Sequence, residues 1–252
     1  MKTHAINLLK RLAAVVLFAP ALAMAAGDVQ LDKAPPVSTD PQRLQNGARL
    51  FVKYCLNCHS ASAVRYSELK KIGFDEKTIE AELIFNGGKV GDLMTIAMTR
   101  DDAEAWFGKA PPDLSLIARA KASESASGAD YLYTYLRTFY KDEDRELGWN
   151  NKASENIGMP HAMWDLQGTQ TANKTKDKHG KDVVEIIPPT VPGSMSAEKY
   201  DEAVADLTSF LVWMGEPAAG TRKTIGIYVL IFLAGFYVLT HFLGKSYWKN
   251  IH

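Results

Sequence analysis

Two cysteines and a histidine stand within five consecutive residues, and they are the residues of this sequence best suited to covalent chemistry. Cys55 and Cys58 are the only cysteines among 252 residues, and His59 follows the second one directly. Two thiols at this spacing can add to the two vinyl groups of one haem, and the adjoining imidazole can then ligate its iron. The spacing therefore predicts a covalently attached haem c, one per chain, with His59 as the proximal ligand.

Three other functions of a Cys-x-x-Cys pair compete with haem attachment. A thiol–disulfide redox site would require a βαβ setting, which the sequence around the motif does not indicate. A zinc site needs four ligands, and the sequence contains no second cluster of cysteine or histidine. A structural disulfide across two intervening residues is uncommon. Haem attachment is the interpretation that uses both thiols and the histidine.

Haem iron that transfers electrons usually has a sixth ligand, and a methionine thioether opposite histidine raises the reduction potential. Met159 lies in a Gly-Met-Pro loop, and Gly158 and Pro160 suit a backbone that approaches a flat ring. Met163 is its nearest competitor, and His161 could also ligate, although a second histidine would lower the potential. Most methionines in proteins only pack in the hydrophobic core. The other methionines outside the predicted signal peptide are Met94, Met98, Met195 and Met214.

The two ends of the chain predict a signal peptide and a membrane anchor. The first 26 residues combine Lys10-Arg11, an apolar run and small-x-small cleavage sites. The alternative is a short membrane anchor, for which the apolar run is too short to span comfortably. Residues 224–243 contain no Lys, Arg, Asp or Glu and would form about 30 Å of helix, one bilayer core. The predicted organisation is a cleaved signal peptide (1–26), an exported domain (27–221) and a transmembrane anchor with a short cytoplasmic tail (222–252).

Charge is spread unevenly along the chain, although the formal net charge is zero. All 29 acidic residues lie within residues 27–221 together with 22 of the 29 basic residues, which gives this part a net charge of −7 with histidine neutral. A nucleic-acid-binding protein would show the opposite sign. An acidic body suits a basic protein partner, and it also favours solubility. The densest acidic run, residues 141–146, is either a docking patch or a solvated loop.

Apolar periodicity predicts a body that is mainly α. The expected fold is a c-type cytochrome domain with long loops and a small β-hairpin, followed by one C-terminal transmembrane helix. Pro- and Gly-marked loops are expected at 108–115, 148–160 and 188–194. The predicted helices run from Pro41 into Cys55, over Asp75–Phe85, over Asp130–Phe139, and from Ser196 to just before Pro217. The hairpin is predicted over residues 174–187, with its turn at His179-Gly180.

Several segments together resemble the cytochrome c1 family, the haem subunits of quinol–cytochrome c reductase (cytochrome bc1) complexes. The Cys-x-x-Cys-His motif alone indicates only a c-type haem. The combination is far more specific, and the resemblance covers residues 27–252. The matching segments are "CLNCH" (55–59), "APPDLSLIARA" (110–120), "ENIGMPHAMWDLQG" (155–168) and "SAEKYDEAVADLTSFLVWMGEP" (196–217), shortly before a single C-terminal span.

The resemblance implies a set of haem contacts. The family pattern makes Met159 the distal iron ligand and puts Pro111-Pro112 against the haem face. It also implies that Tyr131 and a basic residue, Arg119 or Lys121, hold a haem propionate. Some bacterial relatives carry an extra disulfide near the ligand loop, and this chain has no cysteines left for one.

The resemblance also implies one-electron relay, without substrate chemistry of the chain's own. A Rieske iron–sulfur protein, reduced by quinol at the cytochrome b subunit, would deliver the electron, and a basic cytochrome c, soluble or membrane-bound, would accept it. The chain would cross a bacterial inner membrane once, with its body in the periplasm. Two alternatives stay open: a free-standing, membrane-anchored c-type cytochrome of another respiratory chain, and a thiol–disulfide enzyme that uses Cys55 and Cys58.

Overall fold

The computed structural model describes residues 30–176, 178, 180 and 182–249. The predicted signal peptide and His179 of the predicted hairpin turn lie outside the described residues. The helices are α1 (Pro41–Leu50), α2 (Glu76–Glu82), α3 (Arg100–Phe107), α4 (Ile117–Ala120), α5 (Gly128–Arg137), α6 (Trp164–Gln167), α7 (Ala197–Gly215) and α8 (Ala219–Tyr247). Antiparallel pairs are β1 (Ala61–Arg65) with β2 (Leu93–Met94), β3 (Phe139–Lys141) with β4 (Trp149–Asn151), and β5 (Gly168–Lys176) with β6 (Asp182–Pro192). The mainly α fold class is confirmed.

Helix α1 packs against α7 at very close range. Gly47 makes this possible, because a Cβ at that position would overlap the backbone of Asp206. The rings of Phe51 and Phe210 meet next to this contact, with centroids 5.5 Å apart, and both side chains are fully buried. The contact fixes the C-terminal end of α1, and the chain enters the Cys55 turn from that end.

The starts of three of the four predicted helices agree with the structure, and the fourth, predicted from Asp130, begins at Gly128 with Ser127 as its cap. Asp40, Asp75 and Ser196 each cap a helix with the side-chain oxygen that accepts a backbone N–H bond. The helix from Pro41 does run into Cys55, but its last five residues, Phe51–Cys55, are a π-helix. This wider turn changes the direction in which the last side chains leave the helix.

The ends of the predicted elements differ more. The helix expected over Asp130–Phe139 ends at Arg137, because Phe139 pairs with Asn151 in the β3–β4 hairpin, inside what was predicted to be a loop. The β5–β6 hairpin is longer than the predicted 174–187, and β6 continues through Pro188 and Pro189. A two-stranded sheet leaves one edge of each strand without hydrogen bonds, and proline is tolerated there.

Helix α8 is long and apolar enough to cross a bilayer. It has 29 residues and a mean hydropathy of 2.0 in its most apolar window, and none of its residues is buried. At 1.5 Å per residue the helix is about 43 Å long, which exceeds the hydrocarbon thickness and leaves turns for the headgroup regions. The helix begins at Ala219, three residues before the predicted start of the anchor.

Candidate haem site

The two cysteines and the histidine lie on one tight turn after the π-helix. The backbone N–H groups of Cys58 and His59 both donate to the carbonyl oxygen of Cys55, at 3.1 and 2.9 Å. Both cysteines are free thiols. Burial raises the pKa of Cys55 to about 12 and also raises that of Cys58. A redox Cys-x-x-Cys needs a lowered thiol pKa, so the environment argues against the thiol–disulfide alternative.

The His59 ring has a fixed orientation. Its Nδ1 lies 2.7 Å from the carbonyl oxygen of Pro112, which can only accept, so Nδ1 carries the hydrogen and Nε2 keeps the free lone pair. Burial lowers the pKa of His59, against a smaller opposing effect of the Pro112 hydrogen bond. The ring is therefore neutral at physiological pH, as a metal ligand must be. The family resemblance implies that Pro112 lies against the haem face, but it does not reveal this role of the Pro112 carbonyl.

Hydrogen bonds hold the Pro111–Ser115 segment next to the cysteine turn. The backbone N–H of Leu114 donates to the carbonyl of Ser60 at 2.8 Å. The carboxylate of Asp113 accepts from the N–H of Ser62 at 2.8 Å, and the hydroxyl of Ser115 accepts from the N–H of Ala63. Pro111 is half-buried and Pro112 is exposed. These contacts fix the Pro112 carbonyl relative to His59.

Met159 is half-buried in the loop after β4. The hydroxyl of Tyr135, on α5, donates to its sulfur at 3.1 Å, and burial raises the pKa of Tyr135, so the hydroxyl remains a donor. Met163, the nearest competitor, is 3% exposed and lies in the hydrophobic core. Met94 and Met214 are buried in the same core, while Met98 and Met195 are half-buried.

The loop that carries Met159 is held in place just before the methionine. Asn156 adopts a left-handed backbone, with φ of 60°, and the guanidinium of Arg145 donates to its side-chain and backbone oxygens. A Cβ at Gly158 would lie 3.3 Å from the carbonyl oxygen of Phe107. This contact would be tight, so glycine fits this position better than a larger residue does.

His161 follows the loop and is packed into an aromatic site. Its ring stacks on Phe139 with a centroid distance of 5.0 Å and meets the edge of Trp149 at 5.2 Å. Both ring nitrogens are buried without a hydrogen-bond partner among the described residues. Burial lowers its pKa to about 4, so the ring is neutral and works as an aromatic anchor for the loop.

The cysteine turn is also joined to the helix that follows the methionine loop. Tyr54, beside Cys55, donates to the carboxylate of Asp165 on α6 at 2.8 Å. Residues around 54–63 are thus joined to 111–115 and to Asp165, although these segments are far apart in sequence. The haem contacts expected from the sequence stay a prediction.

The predicted propionate residues are separated by the structure. Lys121 lies over the Tyr131 ring, with its Nζ 4.8 Å from the centroid, and Tyr131 stacks on Tyr135 at 5.7 Å. Lys121, Tyr131, Tyr135 and Met159 therefore form one continuous row. Arg119 lies elsewhere and lines a cavity of about 480 Å³ where α7 meets α8.

The side chains fit a haem c. One turn supplies both thiols and a neutral histidine whose Nδ1 is already fixed, and the loop after β4 supplies a half-buried thioether. A zinc site fits less well, since no three His, Cys, Asp or Glu side chains cluster within the part of the chain that the structure describes.

The comparison with known families identifies the family of this chain. The model of a family described as the cytochrome C1 family matches residues 87–196 and 193–251. The chain belongs to the cytochrome c1 family. Its cofactor is a covalent haem c, which supplies one-electron redox chemistry when bound. Membership of this family implies electron transfer. Family membership and helix α8 together make the chain a single-pass membrane protein.

Individual relatives extend this membership over nearly the whole chain. A cytochrome c1 from Allochromatium vinosum is 41% identical over 96% of this chain and 98% of its own length. A cytochrome c1 from Rhodospirillum rubrum is 28% identical over 84% of this chain and 83% of its own. A protein from Nitrosomonas europaea named ammonia monooxygenase gamma subunit is 45% identical over 98% of this chain and 100% of its own.

Proposed function

We propose that this chain relays single electrons from the Rieske iron–sulfur protein of a quinol–cytochrome c reductase complex to a cytochrome c. In this proposal Cys55 and Cys58 bind the haem covalently and His59 is the proximal ligand. The observation that carries it is the His59–Pro112 hydrogen bond on the cysteine turn. That bond fixes the tautomer and orientation of a ligating histidine, as partners of metal-bound histidines generally do.

Met159 is the proposed sixth ligand. Its loop is braced at Asn156 by Arg145, so the sulfur can be presented without moving a helix. Met163 is part of the core and could reach an iron only by leaving it. A soft sulfur ligand favours ferrous iron and raises the potential, which suits an acceptor of electrons from a Rieske centre.

Lys121 and Tyr131 are the proposed propionate contacts, in preference to Arg119. Lys121 is exposed and already lies over the Tyr131 ring, whereas Arg119 belongs to the cavity at α8. A lysine near a carboxylate on the haem would neutralise it and keep the potential high.

The acidic body would guide a basic acceptor, which raises the association rate. Within the densest run, residues 141–146, Asp142 is buried and bonded to Lys174 at 2.8 Å, and Arg145 braces the Met159 loop. Only Glu143, Asp144 and Glu146 are exposed acids there. The docking interpretation is therefore restricted to these three carboxylates.

An orientation with the body in the periplasm follows from export of the N-terminus, with the tail after α8 in the cytoplasm. The exported domain is proposed to span 27–221. This arrangement places the haem on the side where soluble cytochrome c is found, and leaves quinol chemistry to the cytochrome b subunit.

A pyridine haemochrome assay and copurification together test the proposal. The purified chain should keep one haem through acid-acetone extraction, and it should be isolated in mild detergent with a cytochrome b and an iron–sulfur subunit. Full extraction of the haem would contradict covalent attachment. Isolation as a single redox-active subunit would instead support the free-standing cytochrome.

A second candidate function comes from the Nitrosomonas europaea relative, whose name assigns it to an ammonia monooxygenase. The same purification separates the two candidates, because the second one predicts monooxygenase subunits in place of a cytochrome b. Ammonia oxidation that requires this chain in a reconstituted complex would favour it.

A further inference from the structure

Arg119 has no role in the proposed haem site and no partner in the described residues. Its side chain is exposed, and it makes no hydrogen bond or ion pair within the described part of the chain. It lines the cavity of about 480 Å³, which will be called the α7–α8 cavity. A partnerless guanidinium beside a cavity of this size indicates that an anion could be bound there.

The level of the α7–α8 cavity relative to the membrane is set by its lining. One wall is formed by Trp213, Pro217 and the first residues of α8, Ala219–Thr221. The uncharged span begins at Thr224, so the cavity ends roughly 5 Å above it at the helical rise per residue. This is the depth of lipid headgroups.

The lining of the cavity combines apolar and basic side chains. Leu44, Ile72 and Val212 contribute apolar surface, and the basic side chains are Arg119 and Lys71. Lys71 pairs with Glu68 at 2.5 Å, but both side chains are partly exposed, and such pairs are weak enough to exchange partners.

The acidic residue in the lining does not cancel this positive charge. Glu216 lines the cavity and is paired with Arg222 at the start of α8. The two basic residues therefore remain available to a ligand, and the lining resembles neither a purely apolar groove nor a balanced ion-pair network.

We propose that the α7–α8 cavity binds the headgroup of an anionic phospholipid from the leaflet that faces the body. The phosphate would accept hydrogen bonds from Arg119 and Lys71, and the glycerol and first acyl carbons would lie along Trp213. The site would hold the body at a fixed height above the membrane. The proposal depends on the membrane helix and not on the identity of the electron donor or acceptor.

Native mass spectrometry of the full-length haem-loaded chain in mild detergent tests this site. The probes are phosphatidylglycerol, phosphatidylcholine and inorganic phosphate. We expect phosphatidylglycerol to be retained about tenfold more strongly than phosphatidylcholine, as one charge-assisted hydrogen bond can provide. Arg119→Gln with Lys71→Gln should abolish this preference.

Lys70→Gln is the matched control, because Lys70 is an exposed neighbouring base paired with Glu76 that does not line the cavity. It should keep the preference. The haem spectrum of each variant verifies that it is folded. Equal retention of both lipids by the unmodified chain, or an unchanged preference in the double variant, would overturn the proposal. Binding of inorganic phosphate without any lipid preference would overturn the lipid as occupant and leave only an anion site.

Discussion

The hydroxyl of Tyr135 donates a hydrogen bond to the sulfur of Met159, with the two atoms 3.1 Å apart. Tyr135 in turn stacks on Tyr131 with an interplanar angle of 16°. A thioether sulfur has two lone pairs, so one can bond to iron while the other accepts from the tyrosine. If Met159 is the sixth ligand, Tyr135 therefore controls both the position and the electron density of the ligating atom.

Tyr135→Phe is expected to lower the reduction potential. The hydroxyl withdraws electron density from the sulfur, which makes it a poorer ligand for ferric iron and favours the ferrous state. A difference of about 1 kcal/mol for this bond corresponds to roughly 40 mV in a one-electron couple. Spectroelectrochemical titration of the full-length chain measures the shift. Tyr133→Phe, on the same helix, is the control, since the bond to the Met159 sulfur comes from Tyr135 and not from Tyr133.

Met159→Leu and Met163→Leu should behave in opposite ways. Methionine-ligated ferric haem has a weak far-red absorption band, and this band should vanish in Met159→Leu while the potential falls by more than in Tyr135→Phe. Met163→Leu should retain the band and lose about 1 kcal/mol of stability, as for a volume-conserving core substitution. The reverse pattern would make Met163 the ligand. Retention of the band in both variants would point to Met94, Met98 or Met195.

The sequence predicted elements that local signals specify and missed those that depend on distant partners. Caps such as Asp40 and Ser196 act on the next few residues, so the starts of α1 and α7 were predictable. Phe139 continues the apolar period of α5, yet it forms a strand because Asn151 pairs with it. No local pattern reveals that partner.

The proposed haem contacts differ in the same way in how far local sequence specifies them. Cys55, Cys58 and His59 follow from the sequence because they lie on one turn, which determines all of their chemistry. The choice between Arg119 and Lys121 does not, because residues two apart on a helical turn point to nearly opposite sides. Arg119 lies on α4 and Lys121 at its C-cap, so only the packing of α4 determines which one lies over Tyr131. The sulfur–hydroxyl contact of Met159 depends on a loop and a helix 24 residues apart.

Lys121→Gln should lower the potential, and Arg119→Gln should leave it unchanged. A positive charge near the haem favours the ferrous state, and the Lys121 ammonium lies over Tyr131. Because this side chain is exposed, the effect should stay within about 1 kcal/mol, or roughly 40 mV. Potentiometric titration of both variants measures it. A fall in Arg119→Gln alone would restore Arg119 as the propionate residue.

Asp130→Asn should destabilise the protein at neutral pH and progressively less in acid. Burial would raise the pKa of Asp130, but hydrogen bonds from Lys33, Ala34 and Ser127 outweigh it and lower the pKa to about 2. Since the folded-state pKa is below the unfolded value of 3.8, this carboxylate stabilises the fold above pH 3.8, and the contribution is lost as the pH falls from there towards 2. Because the Lys33 side chain is 87% exposed, we expect a loss of between about 1 and 2 kcal/mol in the free energy of unfolding at pH 7.

Denaturant unfolding of the haem-loaded chain at pH 7, 5 and 3.5 measures this loss. The difference in free energy of unfolding between the unmodified chain and Asp130→Asn should be equal at the first two pH values and smaller at the third. Asp144→Asn, at an exposed position, is the control and should show little difference at any of them. A difference for Asp130→Asn that does not narrow at pH 3.5 would mean that the lost hydrogen bonds do not depend on the charge of Asp130.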